Sequence, residues 1–108
     1  MPDLYDLDAL SKEFSAFTLV QLRIALDRVA QHPSRGPKTS RRVIAETGLV
    51  VNGAPRSGVA IRRDGNEYRF RLTEVNGTAY TWDELVMGAA SFPGFVTALR
   101  DLLHRPEQ

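Results

Sequence analysis

The sequence predicts an α+β domain, with N-terminal helices, a central antiparallel three-stranded meander and C-terminal helices. Three observations lead there. Apolar residues recur at three- and four-residue spacing before residue 33 and again after residue 91. After Gly48 the apolar period drops to two. Gly-containing turn signals at Asn52-Gly53, Gly65-Asn66 and Asn76-Gly77 punctuate that middle stretch. Helices, then strands, then helices argue for α+β rather than a parallel sheet. At 108 residues, 43% hydrophobic and 25% charged, residues 1–108 form one domain of ordinary globular composition.

Leu4, Leu7, Leu10 and Phe14 mark a short amphipathic helix over about residues 3–14, and Asp3, Asp6 and Asp8 suit the positive end of its dipole. The next helix carries its own start signal. Thr18 is a good N-cap, Gln21 completes a capping box, and Phe17 and Leu22 stand at staple positions. Leu19, Leu22, Leu26 and Val29 line one face, widened by Ile24 and Ala25, and His32-Pro33 ends the element. Gly36-Pro37 breaks the following loop. Thr39 or Ser40 caps an expected short third helix through Thr47, with Gly48 at the left-handed closing position.

Leu49-Val50-Val51 is a strand candidate, followed by the Asn52-Gly53 turn. Val59 and Ile61 alternate with Ala60 and Arg62. After the Asp64-Gly65-Asn66 turn, Tyr68, Phe70 and Leu72 alternate with Arg69 and Arg71. This is a hairpin with apolar residues inward and arginines outward. A two-residue turn at Asn76-Gly77 would pair Thr73 with Tyr80 and Arg71 with Trp82, placing both aromatics on the arginine face. Thr81 with Glu84 repeats the capping-box spacing, so a short helix to about Met87 is expected there, with Tyr80 and Leu85 as its staple. Phe92, Phe95, Val96, Leu99, Leu102 and Leu103 follow the helical period, starting at Ser91 or Pro93 and stopping before Pro106.

Charge is segregated. Residues 34–72 hold Arg35, Lys38, Arg41, Arg42, Arg56, Arg62, Arg63, Arg69 and Arg71 against Glu46, Asp64 and Glu67, a balance of +6 in a chain of net +1. The acidic flanks offset it, so local charge matters more than the total for an anionic partner. There is no cysteine, hence no disulfide, thiolate metal site or cysteine nucleophile. That composition suits a cytoplasmic protein. No basic and apolar leader follows Met1, which reads against a secretory signal. No apolar run approaches the roughly 18 residues of a membrane span.

Catalysis is poorly supported. His32 and His104 have no metal-ligand spacing to each other or to carboxylates, and His104 sits where a cation suits a helix C-terminus. Asp64, Glu67, Asp83 and Glu84 fall at turns and helix starts, where carboxylates serve structure. Gly48, Gly53 and Gly58 lack the strand–glycine–helix order of a phosphate loop. The expectation is a non-enzymatic chain without cofactor or metal. Arg62, Arg69 and Arg71 beside Tyr80 and Trp82 suit nucleic-acid phosphates and bases. They equally suit internal cation–π packing, a protein interface, or a solvated sheet face.

Ala25-Leu26-Asp27-Arg28-Val29, then His32-Pro33-Ser34-Arg35, then Ser40 through Gly53 (SRRVIAETGLVVNG), resemble the alpha-L RNA-binding domain. That module occurs in a small-subunit ribosomal protein, some pseudouridine synthases and tyrosyl-tRNA synthetases. Arg63 through Tyr68 (RDGNEY) looks like its closing turn and strand. The resemblance covers residues 25–70. It implies structured-RNA binding through Arg35, Lys38, Arg41 and Arg42, the positions matching the family's basic second helix. Two features depart from the pattern: the family glycine falls one position before Gly48, and Gly36-Pro37 interrupts the second-helix region. The functional expectation is an RNA-binding module, RNA before DNA, that uses Arg35, Lys38, Arg41, Arg42, Arg62, Arg69 and Arg71. The alternative is a domain that binds an acidic protein partner.

Overall fold

Apolar side chains at helical spacing need a surface to cover, and the alternating middle stretch supplies one. The computed structural model describes residues 5–31, 40–43, 47–49, 56–77 and 79–104, with 40–43 and 47–49 described by their backbone. In chain order the elements are α1 (Leu7–Ser15), α2 (Leu19–Gln31), β1 (Ser40–Val43), β2 (Thr47–Leu49), β3 (Gly58–Asp64), β4 (Glu67–Asn76), β5 (Ala79–Gly88) and α3 (Phe92–His104). This is the α+β class, with helices before and after an antiparallel β3–β4–β5 meander. The expectations placed on Arg35, Gly36-Pro37, Lys38, Val50-Val51, Asn52-Gly53 and Pro106 lie outside the described residues.

Helix α2 starts on the capping box its sequence carries, whereas α1 starts at Leu7 and not near residue 3. The Asp6 carboxylate caps α1 by accepting the Ala9 N–H at 3.2 Å. At α2 the Gln21 N–H donates to Thr18 Oγ1 and the Thr18 N–H donates to Gln21 Oε1, each at 3.1 Å, a closed capping box. Leu22, Ala25, Leu26 and Val29 of α2 are buried, as are Phe92, Phe95, Val96 and Leu99 of α3. These stripes cover one face of the sheet, made by Ile61, Tyr68, Phe70, Leu72, Leu85 and Met87. Tyr68 stacks on Phe92 at 3.9 Å between centroids, and Phe70 meets Phe95 edge-on at 5.2 Å. Each fully buried aromatic here contributes roughly 1.5–3 kcal/mol by the area it removes from water.

Two elements differ from the sequence expectation. Residues 81–87 are not a helix: β5 runs on to Gly88, and Thr81 and Tyr80 pair with Glu74 and Val75 instead of starting a turn of helix. The local capping spacing loses because ten residues of β4 need a partner for their backbone groups, and 79–88 alternate correctly to supply it. The expected third helix likewise gives way to strands. Ser40–Val43 and Thr47–Leu49, including Gly48, pair along the free edge of β5. Val43 pairs with Glu84 and Thr47 with Thr81. The strand order is thus β1 and β2, then β5, β4 and β3.

The register of β4 and β5 is also displaced by two from the expected one. Asn76 pairs with Ala79, so Gly77, at φ +65°, takes the first loop position; Gly65, at φ +62°, does the same between Asp64 and Glu67. Glycine is favoured at such a first position because it alone adopts positive φ without steric cost. Thr73 therefore pairs with Trp82, and Arg71 with Glu84. A displacement of two leaves every side chain on its expected face.

The outer edge of β3 is closed by α1. Ser15 Oγ accepts the Val59 N–H at 3.0 Å, and Ser11 Oγ accepts the Ile61 N–H at 3.2 Å. Four residues of helix rise about 6 Å and two residues of strand about 6.7 Å, so hydroxyls one helical turn apart match alternate edge donors.

Candidate functional site

The helices leave the second face of the meander uncovered by any described helix, and its composition follows from the register. One row across the sheet holds Arg41 of β1, Val86 of β5, Arg69 of β4 and Arg62 of β3. The next row holds Val43, Glu84, Arg71 and Ala60. A third holds Trp82, Thr73 and Gly58. The aromatics expected beside the arginines are there: the Arg71 guanidinium lies 4.3 Å from the centroid of the Trp82 ring. Tyr80 and Trp82 are half-buried on this face, and Tyr80, in a strand, is not a helix staple.

Glu84 organises the face. Its side chain is 4% exposed and takes Arg69 Nη1 on one oxygen at 3.1 Å. The other oxygen takes Arg71 Nε and Nη2 at 3.2 and 3.1 Å. A buried carboxylate needs such partners, since an unpaired one would carry a large desolvation cost. Arg69 also lies 3.5 Å from Asp64 and 3.9 Å from Glu67, both exposed at the hairpin end. Its Nε is buried and makes no hydrogen bond. Arg62 is exposed and, among the described residues, has no ion pair. The outward arginines are therefore not all solvated: Arg69 and Arg71 are held by Glu84, and Arg62 is open to solvent.

The predicted site residues separate accordingly. Arg62, Arg69 and Arg71 share the open face, and the register places Arg41 in the row of Arg69 and Arg62. Arg42 pairs with Leu85, in the row of Phe70 and Ile61. Arg41 and Arg42 lie in a strand and not in the basic helix that the family resemblance implies. Arg35 and Lys38 lie outside the described residues.

Sequence reasoning misses two features. The capping-box spacing from Thr81 puts Glu84 at a helix start, which hides its place opposite Arg71. A cavity of about 350 Å³ opens beside Arg71, lined by Arg56, Ser57, Gly58, Ala60 and Thr73 among others. The small residues Gly58 and Ala60 at alternate positions of β3, just before Arg62, are its only trace in the sequence. A smaller hollow of about 80 Å³ is lined by Ala60, Arg62, Arg69, Arg71 and Glu84.

A second charged group lies on the helix side. Arg23 of α2 donates from Nε to Glu74 at 2.7 Å, and its Nη1 bonds the buried Asp83. Burial lowers the Arg23 pKa, but the hydrogen bonds to Glu74 and Asp83 outweigh it and hold the guanidinium above its usual value. Asp83 and Glu84 thus face opposite sides of β5, each bound to arginine. Among the described residues no three His, Asp or Glu side chains are grouped to hold a metal ion. No helix among them is long and apolar enough to cross a membrane. No family model, no curated protein and no solved structure matches this chain.

Proposed function

We propose that this chain is a small non-enzymatic nucleic-acid-binding module of the cytoplasm, acting on RNA before DNA through the open face of its sheet. The observation that carries this reading is the row formed by Arg41, Arg69 and Arg62, with the Arg71–Trp82 stack in the rows beside it. Four strands at about 4.8 Å spacing extend that row over roughly 14 Å, long enough to meet successive phosphates of a single strand. Guanidinium and indole planes are the surfaces on which unpaired bases stack, which favours single-stranded regions of RNA. Non-enzymatic action is supported by the two buried carboxylates. Asp83 and Glu84 are separated by the sheet and bound to arginines, so they do not form an acid–base pair across a cleft.

A second reading has its own observation. Glu84, Asp64 and Glu67 offset much of the charge of Arg69 and Arg71, and arginine with tryptophan is also the composition of protein interfaces. On that reading the partner is an acidic protein surface.

Filter binding of a structured RNA with single-stranded loops separates the two. Each phosphate contact contributes about −0.7 to −0.9 to the slope of log affinity against log salt. Three arginines on phosphate predict a slope of about −2 to −2.7. Arg69→Ala with Arg71→Ala should flatten it. Absence of RNA and DNA binding at low salt rejects the first reading, and recovery of RNA with no protein partner from the source cell rejects the second.

A further inference from the structure

The cavity beside Arg71 has a composition that a flat cationic face does not require. Ala60 occupies an open-face position of β3 and leaves a trough next to Arg71, bordered also by Ser15 of α1, whose Oγ lies 3.3 Å from where a Cβ on Gly58 would stand. Trp82 lies on the other side of Arg71, because β5 and β3 flank β4 on opposite sides. Glu84 holds Nε and Nη2 of Arg71 together, which fixes the guanidinium plane. The result is a planar cation backed by an indole, bordering an opening of about 350 Å³. The opening is also lined by Arg56, which is exposed, and by Ser57 and Thr73. A volume near 350 Å³ lies at the low end for small-molecule sites, in the range of a single nucleotide.

We infer that this trough seats one nucleotide, its base stacked on the Arg71 guanidinium opposite Trp82 and its phosphate on Arg56. This rests on the nucleic-acid reading above and adds to it a defined base seat. The nucleotide is either one unit of a single strand or a free nucleoside monophosphate, and both present the same planar base and phosphate. Stacking on a held guanidinium is sequence-tolerant, since every base has a π-face.

Trp82 is the only tryptophan of the chain, so its emission reports on the seat directly. The experiment titrates the full chain with a single-stranded RNA trinucleotide, with nucleoside monophosphates, with inorganic phosphate and with poly-glutamate. Parallel titrations use Ala60→Leu, Arg71→Lys and Arg62→Ala, each checked for folding by circular dichroism. Trinucleotide or monophosphate is expected to change Trp82 emission. Ala60→Leu fills the trough without altering charge, so it should weaken binding about 5- to 150-fold, the range that one stacked base is worth. Arg71→Lys keeps the charge but loses the plane and should do the same; it carries the test should Ala60→Leu fail to fold. Tighter binding of the trinucleotide than of monophosphates assigns the seat to a strand, and equal binding to a free nucleotide.

Unchanged affinity in Ala60→Leu, with RNA binding still sensitive to Arg62→Ala, overturns the base seat and leaves the nucleic-acid reading standing. Equal competition by inorganic phosphate reduces the site to an anion site and also overturns it. Equal response to poly-glutamate, or no response to any nucleic acid at low salt, removes the nucleic-acid reading and the seat with it.

Discussion

Replacing Glu84 by alanine removes the buried carboxylate that holds both Arg69 and Arg71 and leaves two guanidiniums side by side. Three charge-assisted hydrogen bonds go with it, at 3.1, 3.1 and 3.2 Å. Breaking a fully buried ion pair costs about 3–5 kcal/mol, because the remaining charge is left without a counterion. That figure must be reduced here. Glu84 is 4% exposed, but Arg69 and Arg71 are 22% and 38% exposed, so water rehydrates them in part. Hydrogen bonds to charged groups at about 1.5–3 kcal/mol set the better scale, and Glu84→Ala should destabilise the fold by about 2 kcal/mol. For a domain of this size that is a fall in Tm of about 8–16 °C. Urea unfolding followed by far-ultraviolet circular dichroism measures it, with an unchanged m-value showing that stability alone has moved. Glu84→Gln keeps the shape and an acceptor and should cost less than Glu84→Ala. A decrease below about 0.5 kcal/mol, the level of an ordinary surface substitution, would mean that Glu84 does not hold the arginines.

Three further outcomes follow from the same geometry. Ser11→Ala with Ser15→Ala removes the two hydroxyls that close the β3 edge. Stability should fall by about 1–3 kcal/mol, and the bared edge should make association concentration-dependent in sedimentation; a monomer of unchanged stability would contradict this. Arg100 bonds Glu13 at 2.8 Å through both Nε and Nη2. The Arg100 hydrogen bond, against opposing desolvation, holds the Glu13 pKa below its usual 4.5. A depressed carboxylate pKa contributes stability above the unfolded value that disappears as pH falls through the folded value. Arg100→Ala should therefore cost about 0.2–1 kcal/mol at pH 7, with the gap to wild type closing below pH 4.5; a gap that persists in acid would refute the pairing. Thr18→Ala opens the α2 capping box and should cost about 1 kcal/mol in the same urea assay, and no change would show that α2 is held by packing alone.

Much of this fold is legible because its signals are local. The Thr18 cap, the periods of α1, α2 and α3, and the alternation from Val59 to Leu72 each lie within one element. Strand pairing is not local, and there the sequence misleads. Thr81 with Glu84 satisfies a capping-box pattern, but the unpaired backbone of β4 decides the matter and draws residues 79–88 into the sheet. The same edge effect turns Ser40–Val43 and Thr47, expected as helix, into strand and draws Gly48 in ahead of Leu49, where a strand was expected. The faces of Arg62, Arg69, Arg71, Tyr80 and Trp82 survive a two-residue register error, because side-chain direction in a strand repeats every second residue. Glu84 does not survive it, since only the true register sets it opposite Arg71. The two basic stretches meet in part: Arg41 joins the open-face row and Arg42 takes the row of the core.

Whether the open face of the sheet binds nucleic acid is tested most cleanly at Arg62. This residue is exposed and, among the described residues, makes no ion pair, so its removal should leave stability unchanged. The measurement is the salt dependence of single-stranded RNA affinity for wild type and Arg62→Ala. The predicted result is a slope shallower by about 0.7–0.9 in the variant, as expected when one phosphate fewer is neutralised. Identical slopes with identical affinities would place the RNA elsewhere and contradict nucleic-acid binding by this face.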